Sequence, residues 1–183
     1  AQDCMEIFIG KTVRSEAARI QAHTGKPLTD AWMAAFYKRR NVRLEAELQA
    51  IDGALDAVAA VHARLGGRIA CASGADRYKV EMQLQKVGLA PYFAGRVFSG
   101  HEMPATKPAP DVYLAAAAAL GVPPQRCLVV EDTVTGVTAG VAAGATVVGL
   151  CPSPVGHGSP EALRAAGAVQ VLAHLRELPA LLG

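Results

Sequence analysis

The chain has 183 residues, enough for one well-buried core or a core with a small satellite, and 51% of them are hydrophobic against 19% charged, which excludes a disordered polymer. A net charge of +2 is too small to argue for nucleic acid or a membrane surface as partner. No uncharged run approaches the roughly 20 residues that a membrane-spanning helix needs, and the first ten residues lack the basic start of a secretory signal. Cys4, Cys71, Cys127 and Cys151 form no C-x-x-C pair, and with the five scattered histidines they form no zinc-type spacing. Unpaired thiols of this kind point to a reducing cytoplasm.

In chain order, residues 11–23 and 29–48 carry two helical patterns separated by Thr24, Gly25, Lys26 and Pro27, with no strand between them. Trp32, Phe36 and Tyr37 cluster there with Lys38, Arg39, Arg40 and Arg43. From about residue 51 the pattern alternates. Helices are expected over 54–65, 76–87, 110–120, 135–143 and 160–166, with a last one starting at Ala173. Short apolar strands are expected over 68–72, 95–98, 127–130, 145–150 and 168–171. Gly88, Gly121 and Gly144 stand where helices of this kind stop. Such alternation predicts an α/β fold, a Rossmann-like parallel sheet with helices on both faces, preceded by a small all-helical module over residues 1–50.

Three strand-to-helix loops carry the chemistry. Glu131 and Asp132 end the apolar run 127–130, where a helix start follows at once. Ligands of open parallel sheets bind beyond this carboxyl edge. Capping accounts for one acid at a helix start but not for two after an apolar strand. Side by side they repel unless a cation intervenes, and a hard divalent ion such as Mg2+ is the usual solution. Ser73 and Gly74 follow strand 68–72, where a hydroxyl and a bare backbone N–H can face an anion, although turns of this composition are more often structural. Lys107, ahead of Pro108 and Pro110, sits just before a helix whose first turn holds Asp111, within reach of a phosphate and of nearby carboxylates. Gly10, Lys11 and Thr12 match the end of a nucleotide phosphate loop, but Met5 stands where that pattern needs glycine.

In this order and combination, Ser73-Gly74, Lys107 to Asp111 and Val129 to Thr133 with Gly136 resemble the haloacid dehalogenase-like hydrolases, in the β-phosphoglucomutase and phosphoglycolate phosphatase branch with a helical cap. The resemblance extends over nearly the whole chain, from Phe8 to Gly10 through Ile51 to Gly53, Tyr92 and Phe93 to Gly144. It implies that residues 1–50 are the C-terminal part of the cap and 51–183 a phosphatase core. It further implies that Ser73 and Gly74 hold the substrate phosphoryl group, that Lys107 bridges it to the nucleophile, and that Asp132 with Glu131 binds Mg2+. Lys11, Thr12 and Arg40 are the cap residues expected to meet the substrate, though a solvated helix face accounts equally well for most of those charges. The expected protein is a cytoplasmic monomer that hydrolyses a small phosphorylated metabolite such as a sugar phosphate or sugar-acid phosphate. The alternatives are a phosphosugar mutase and a catalytically inactive binding protein.

One departure is fundamental. The family's nucleophile and acid/base are two aspartates spaced Asp-x-Asp at the end of a first strand. Here the seven aspartates are followed two positions on by Met5, Trp32, Ala54, Val58, Tyr78, Tyr113 and Val134. The family fold places that strand between strands 68–72 and 127–130. The expectation is therefore a core lacking its first strand, with the nucleophile on a segment of roughly 40 residues upstream of residue 1.

Overall fold

The computed structural model describes residues 13–152 and 158–182, so Lys11 and Thr12 lie outside the described residues. The chain divides into two compact units, 1–48 and 49–183. The first contains α1 (Ala17–Thr24), closed by a left-handed Gly25, and α2 (Asp30–Glu47), capped by the Thr29 hydroxyl on the Trp32 N–H. Within α2, Trp32 stacks on Phe36 at 5.3 Å, and Met33 is buried.

The second unit alternates α3 (Ala54–Arg64), β1 (Cys71–Ser73), α4 (Arg77–Lys86), β2 (Val97–Ser99), α5 (Asp111–Leu120), β3 (Leu128–Glu131), α6 (Val134–Ala142), β4 (Thr146–Leu150), α7 (Pro160–Ala165) and β5 (Gln170–Leu172). It closes with a 3-10 segment over Leu175–Leu182. The chain's last helix is thus 3-10, with Pro179 inside it, where the missing N–H and the ring disfavour a regular α-helix. β1 begins at Cys71 rather than at Arg68. Gly66 and Gly67 both take positive φ, and the Ile69 N–H turns back to the Gly67 carbonyl before the chain can extend.

All strand pairs are parallel. They form two ladders, β1-β2 and β3-β4-β5, with Ser73 opposite Ser99 and Glu131 opposite Gly149. Because side chains alternate along a strand, each face of the second ladder gathers its own core. Val129 and Val147 pack with Val112, Val137 and Leu163 from α5, α6 and α7. Val148, Leu150 and Leu172 pack with Leu178 and, at their margin, Leu128, Val130 and the α3 residue Val61. Helical segments therefore cover both faces, as the alternation predicts.

Between β1 and β3 lies an apolar cleft of about 530 Å³, bordered by Val61, Ala72, Ala117, Leu128, Val130 and Leu178. Among the described residues no strand pairs with the facing edges of β1 and β3.

Gly140 sets how closely α6 approaches the sheet. A methyl there would lie 2.8 Å from Val147 Cγ2 and 3.3 Å from Val129 Cγ1, both on stiff branched side chains. Gly140→Ala should therefore destabilise the unit. Overpacking costs about 1–3 kcal/mol, against a gain of up to about 1 kcal/mol in helix propensity. A lowered Tm checks this, and an unchanged or raised Tm would show a looser packing.

Candidate active site

The carboxyl ends of β1 and β3 meet at Lys107. Its ammonium donates to Glu131 Oε1 at 2.5 Å, to the Tyr113 hydroxyl at 2.8 Å and to the Ala72 carbonyl at 3.3 Å. Ala72 immediately precedes Ser73, so Lys107 ties the β1 exit to the β3 exit. The Lys107–Pro108 peptide is cis, and Pro110 stands at the N-cap position of α5, which carries Tyr113 inward one turn later. The Tyr113 hydroxyl donates to Glu131 Oε1 at 2.6 Å, and its ring lies 4.6 Å under the Lys107 ammonium.

Glu131 is 9% exposed, and both its oxygens are fully engaged. Oε1 accepts from Lys107 and Tyr113, while Oε2 accepts the Asp132 N–H, the Thr133 N–H and the Thr133 hydroxyl at 3.0–3.2 Å. Burial alone raises this carboxyl's pKa. The Lys107 charge and the hydrogen bonds from Lys107, Tyr113 and Thr133 outweigh burial and hold it below the usual range. Thr133 also caps α6 by accepting the Gly136 N–H, and a side chain at Gly136 would collide with the Glu131 carboxylate. The spacing Glu-Asp-Thr-x-x-Gly thus folds a carboxylate over a helix N-terminus, where the dipole favours negative charge. Tyr113 is pushed far up, by burial first and then by the Glu131 charge, so it stays protonated and donates.

Ser73 and Gly74 leave β1 in a tight turn. The Ser73 oxygen accepts the Ala75 N–H at 3.1 Å, which leaves its own O–H able to donate, and Asp76 caps α4 through the Lys79 N–H. Cys71, on the same strand, has its thiol pKa raised by burial, against an opposing pull from Lys107. A Ser-Gly turn, one ammonium and two carboxylates thus share one sheet edge. This arrangement offers cationic and N–H donors to a tetrahedral oxyanion and, in Asp132, a carboxylate to a cation.

Of the residues singled out from sequence, Ser73, Gly74, Lys107, Glu131 and Asp132 converge in the second unit. Arg40 lies in the first unit, where its guanidinium contacts Asn41 Oδ1 at 2.8 and 3.0 Å and stacks over Tyr37 at 4.8 Å. Tyr113 escaped the sequence reading. Its only signal is a polar-tipped aromatic in an otherwise apolar, alanine-rich helix two residues after Asp111. Among the described residues no group of three or more His, Cys, Asp or Glu could hold a metal ion on its own.

A family model for haloacid dehalogenase-like hydrolases matches residues 2–144, and the chain belongs to that family. It is 31% identical over 146 residues to 6-phosphogluconate phosphatase of Escherichia coli K12, covering 79% of this chain and 62% of that protein. The chain therefore spans less than two thirds of that relative's length. A haloacid dehalogenase-like protein of unknown function from Agrobacterium tumefaciens superposes with a TM-score of 0.80 at 32% identity, covering 98% of this chain and 81% of that one. A haloacid dehalogenase family hydrolase from Deinococcus radiodurans, solved with bound phosphate and sodium, gives a TM-score of 0.74 at 31% identity over 96% of this chain and 76% of that one.

Two measurements probe the Lys107–Glu131–Tyr113 network. Tyr113→Phe removes a hydrogen bond to a charged, buried group and should cost about 1.5–3 kcal/mol in urea denaturation; a neutral change would mean the hydroxyl is dispensable. Glu131 titrates lower folded than unfolded, so the native state binds fewer protons and the stabilisation is present above about pH 4.5. It is lost as pH falls through the depressed folded value. In Glu131→Gln that part of the acid dependence should vanish, and an unchanged acid limb would exclude Glu131 as its source.

Proposed function

We propose that the protein is a Mg2+-dependent phosphatase that hydrolyses a small phosphorylated metabolite, a sugar phosphate or sugar-acid phosphate, in a cytoplasmic setting. The observation that carries this reading is the convergence of Ser73-Gly74, Lys107 and Glu131-Asp132 at one sheet edge. The phosphate bound in the Deinococcus relative and the named activity of the Escherichia coli relative support it. Free thiols at Cys71, Cys127 and Cys151 suit a reducing compartment.

In this reading, the Ser73 hydroxyl and the Gly74 N–H receive the phosphoryl oxygens. Lys107 offsets the charge that develops on them as the ester bond breaks. The attacking group is the first aspartate of an Asp-x-Asp strand upstream of residue 1, seated in the cleft between β1 and β3 with both edges paired. Its carboxylate oxygen bonds to phosphorus as the P–O ester bond breaks, and the second aspartate protonates the leaving alkoxide. The second aspartate then takes a proton from water, which attacks the aspartyl-phosphate and releases inorganic phosphate. Bound Mg2+ would neutralise phosphoryl charge. Asp132, next to Glu131, is the carboxylate that would hold the ion. Because the Glu131 oxygens already accept five hydrogen bonds, Asp132 would be the direct ligand, with the upstream strand completing the site. Residues 1–50 are read as the C-terminal part of a helical cap, with Lys11, Thr12 and Arg40 as its candidate substrate-selecting groups.

The test is phosphate release from a panel of sugar and sugar-acid phosphates, using the protein with its upstream segment. Asp132→Asn and Ser73→Ala should each lower kcat/KM by at least about a hundredfold while the fold persists. Turnover at the wild-type rate in either variant contradicts these roles. An isomerised phosphosugar with no inorganic phosphate would replace hydrolysis by a mutase reaction.

A further inference from the structure

We infer that Ser99 is a positioning residue for phosphate binding: from the neighbouring strand it fixes the peptide that orients the Ser73-Gly74 turn. The inference rests on the reading of that turn as the phosphate seat.

Ser99 ends β2 directly opposite Ser73 and is 0% exposed. Its hydroxyl donates to the Ala75 carbonyl at 2.7 Å and accepts the His101 N–H at 3.2 Å. The same Ala75 gives its N–H to the Ser73 oxygen. Ala75 thus has its N–H held from within the turn and its carbonyl held from the next strand, so the peptide units on both sides of its Cα are fixed. Ser99 has a single proton, and it goes to Ala75 rather than to its own segment. That geometry matters because Gly74, lacking a Cβ, has a wide choice of backbone conformations, which the fixed Ala75 narrows.

Two further contacts hold the same two segments together. Gly100 presses on the turn closely enough that a methyl there would sit 3.4 Å from Gly74 Cα and from the Ser73 carbonyl. One residue past the α4 cap, Arg77 grips Glu102 with two hydrogen bonds of 2.6 Å. The loop that leads from β2 towards Lys107 and the turn that carries Ser73 are therefore coupled by a buried hydroxyl and an exposed ionic fork.

A merely structural Ser99 would affect stability and nothing else, so the readout is affinity for inorganic phosphate. It is followed by the shifts of the Gly74 and Ala75 amide resonances. Ser99→Ala should weaken phosphate binding about tenfold. Val148→Ala, which thins the core on the far face of β4, should lower Tm while leaving phosphate affinity within about twofold. Should Ser99→Ala fail to fold, Glu102→Gln on the exposed fork should weaken phosphate about threefold. A folded Ser99→Ala that binds phosphate within twofold of wild type overturns the inference, as does an unchanged Glu102→Gln in the other case. If wild type itself shows no phosphate-dependent shift at Gly74 or Ala75, the phosphate seat is wrong and the inference falls with it. That outcome is distinct from a wild type that binds and a variant that binds equally well.

Discussion

A buried ammonium and a buried carboxylate in direct contact, Lys107 on Glu131, form the constraint around which the rest of this site is arranged. Neither charge is tolerable there alone. Removing one partner of such a pair typically costs about 3–5 kcal/mol, because the survivor is left desolvated and uncompensated. Each neighbouring feature reduces that risk. Tyr113 adds a donor, Thr133 and the first N–H groups leading into α6 add three more, and Gly136 leaves the space that the carboxylate occupies. The functional reading follows from the same arrangement. A lysine held by a carboxylate and a carbonyl at a strand exit is a fixed cation, already oriented before any anion arrives.

Its three hydrogen bonds also connect parts that the backbone does not. β1 and β3 belong to separate ladders, and among the described residues no ladder hydrogen bond crosses the apolar cleft between them. Across that gap the carboxyl ends are joined by Lys107, which reaches the Ala72 carbonyl on one side and Glu131 on the other. Side chains of α3, α5 and the terminal 3-10 segment border the rest of the cleft. Among the described residues the facing edges of β1 and β3 have no strand partner, and the gap between them is lined by apolar side chains, the setting in which an added strand would satisfy both edges.

Much of the second unit was legible from local pattern. The β3 and β4 runs and the glycines ending α5 and α6 act over a few residues, and the structure places those elements within a residue or two of expectation; the cap of α6 is Thr133 rather than the acid before it. What local pattern missed depends on partners distant in sequence. Tyr113 gains its role from Glu131, 18 positions away, and Ser99 from Ala75, 24 positions away. The start of β1 was misplaced because two successive left-handed glycines curl the chain before it extends, although Arg68 to Ala72 read as one apolar run. The terminal segment carried a helical apolar pattern, and only the proline within it marks the tighter winding. For Glu131, the adjacency of two acids suggested two metal ligands. The structure gives its oxygens five protein donors, a distinction no sequence spacing could supply.

The central claim is that one oxyanion sits among Ser73, Gly74 and Lys107. A crystal soaked in tungstate, located by its anomalous scattering, tests it most directly. The account predicts a single strong peak within hydrogen-bond reach of the Ser73 hydroxyl, the Gly74 N–H and the Lys107 ammonium. An empty turn there, with tungstate held instead by Arg39, Arg40 or Arg43 of α2, would contradict it.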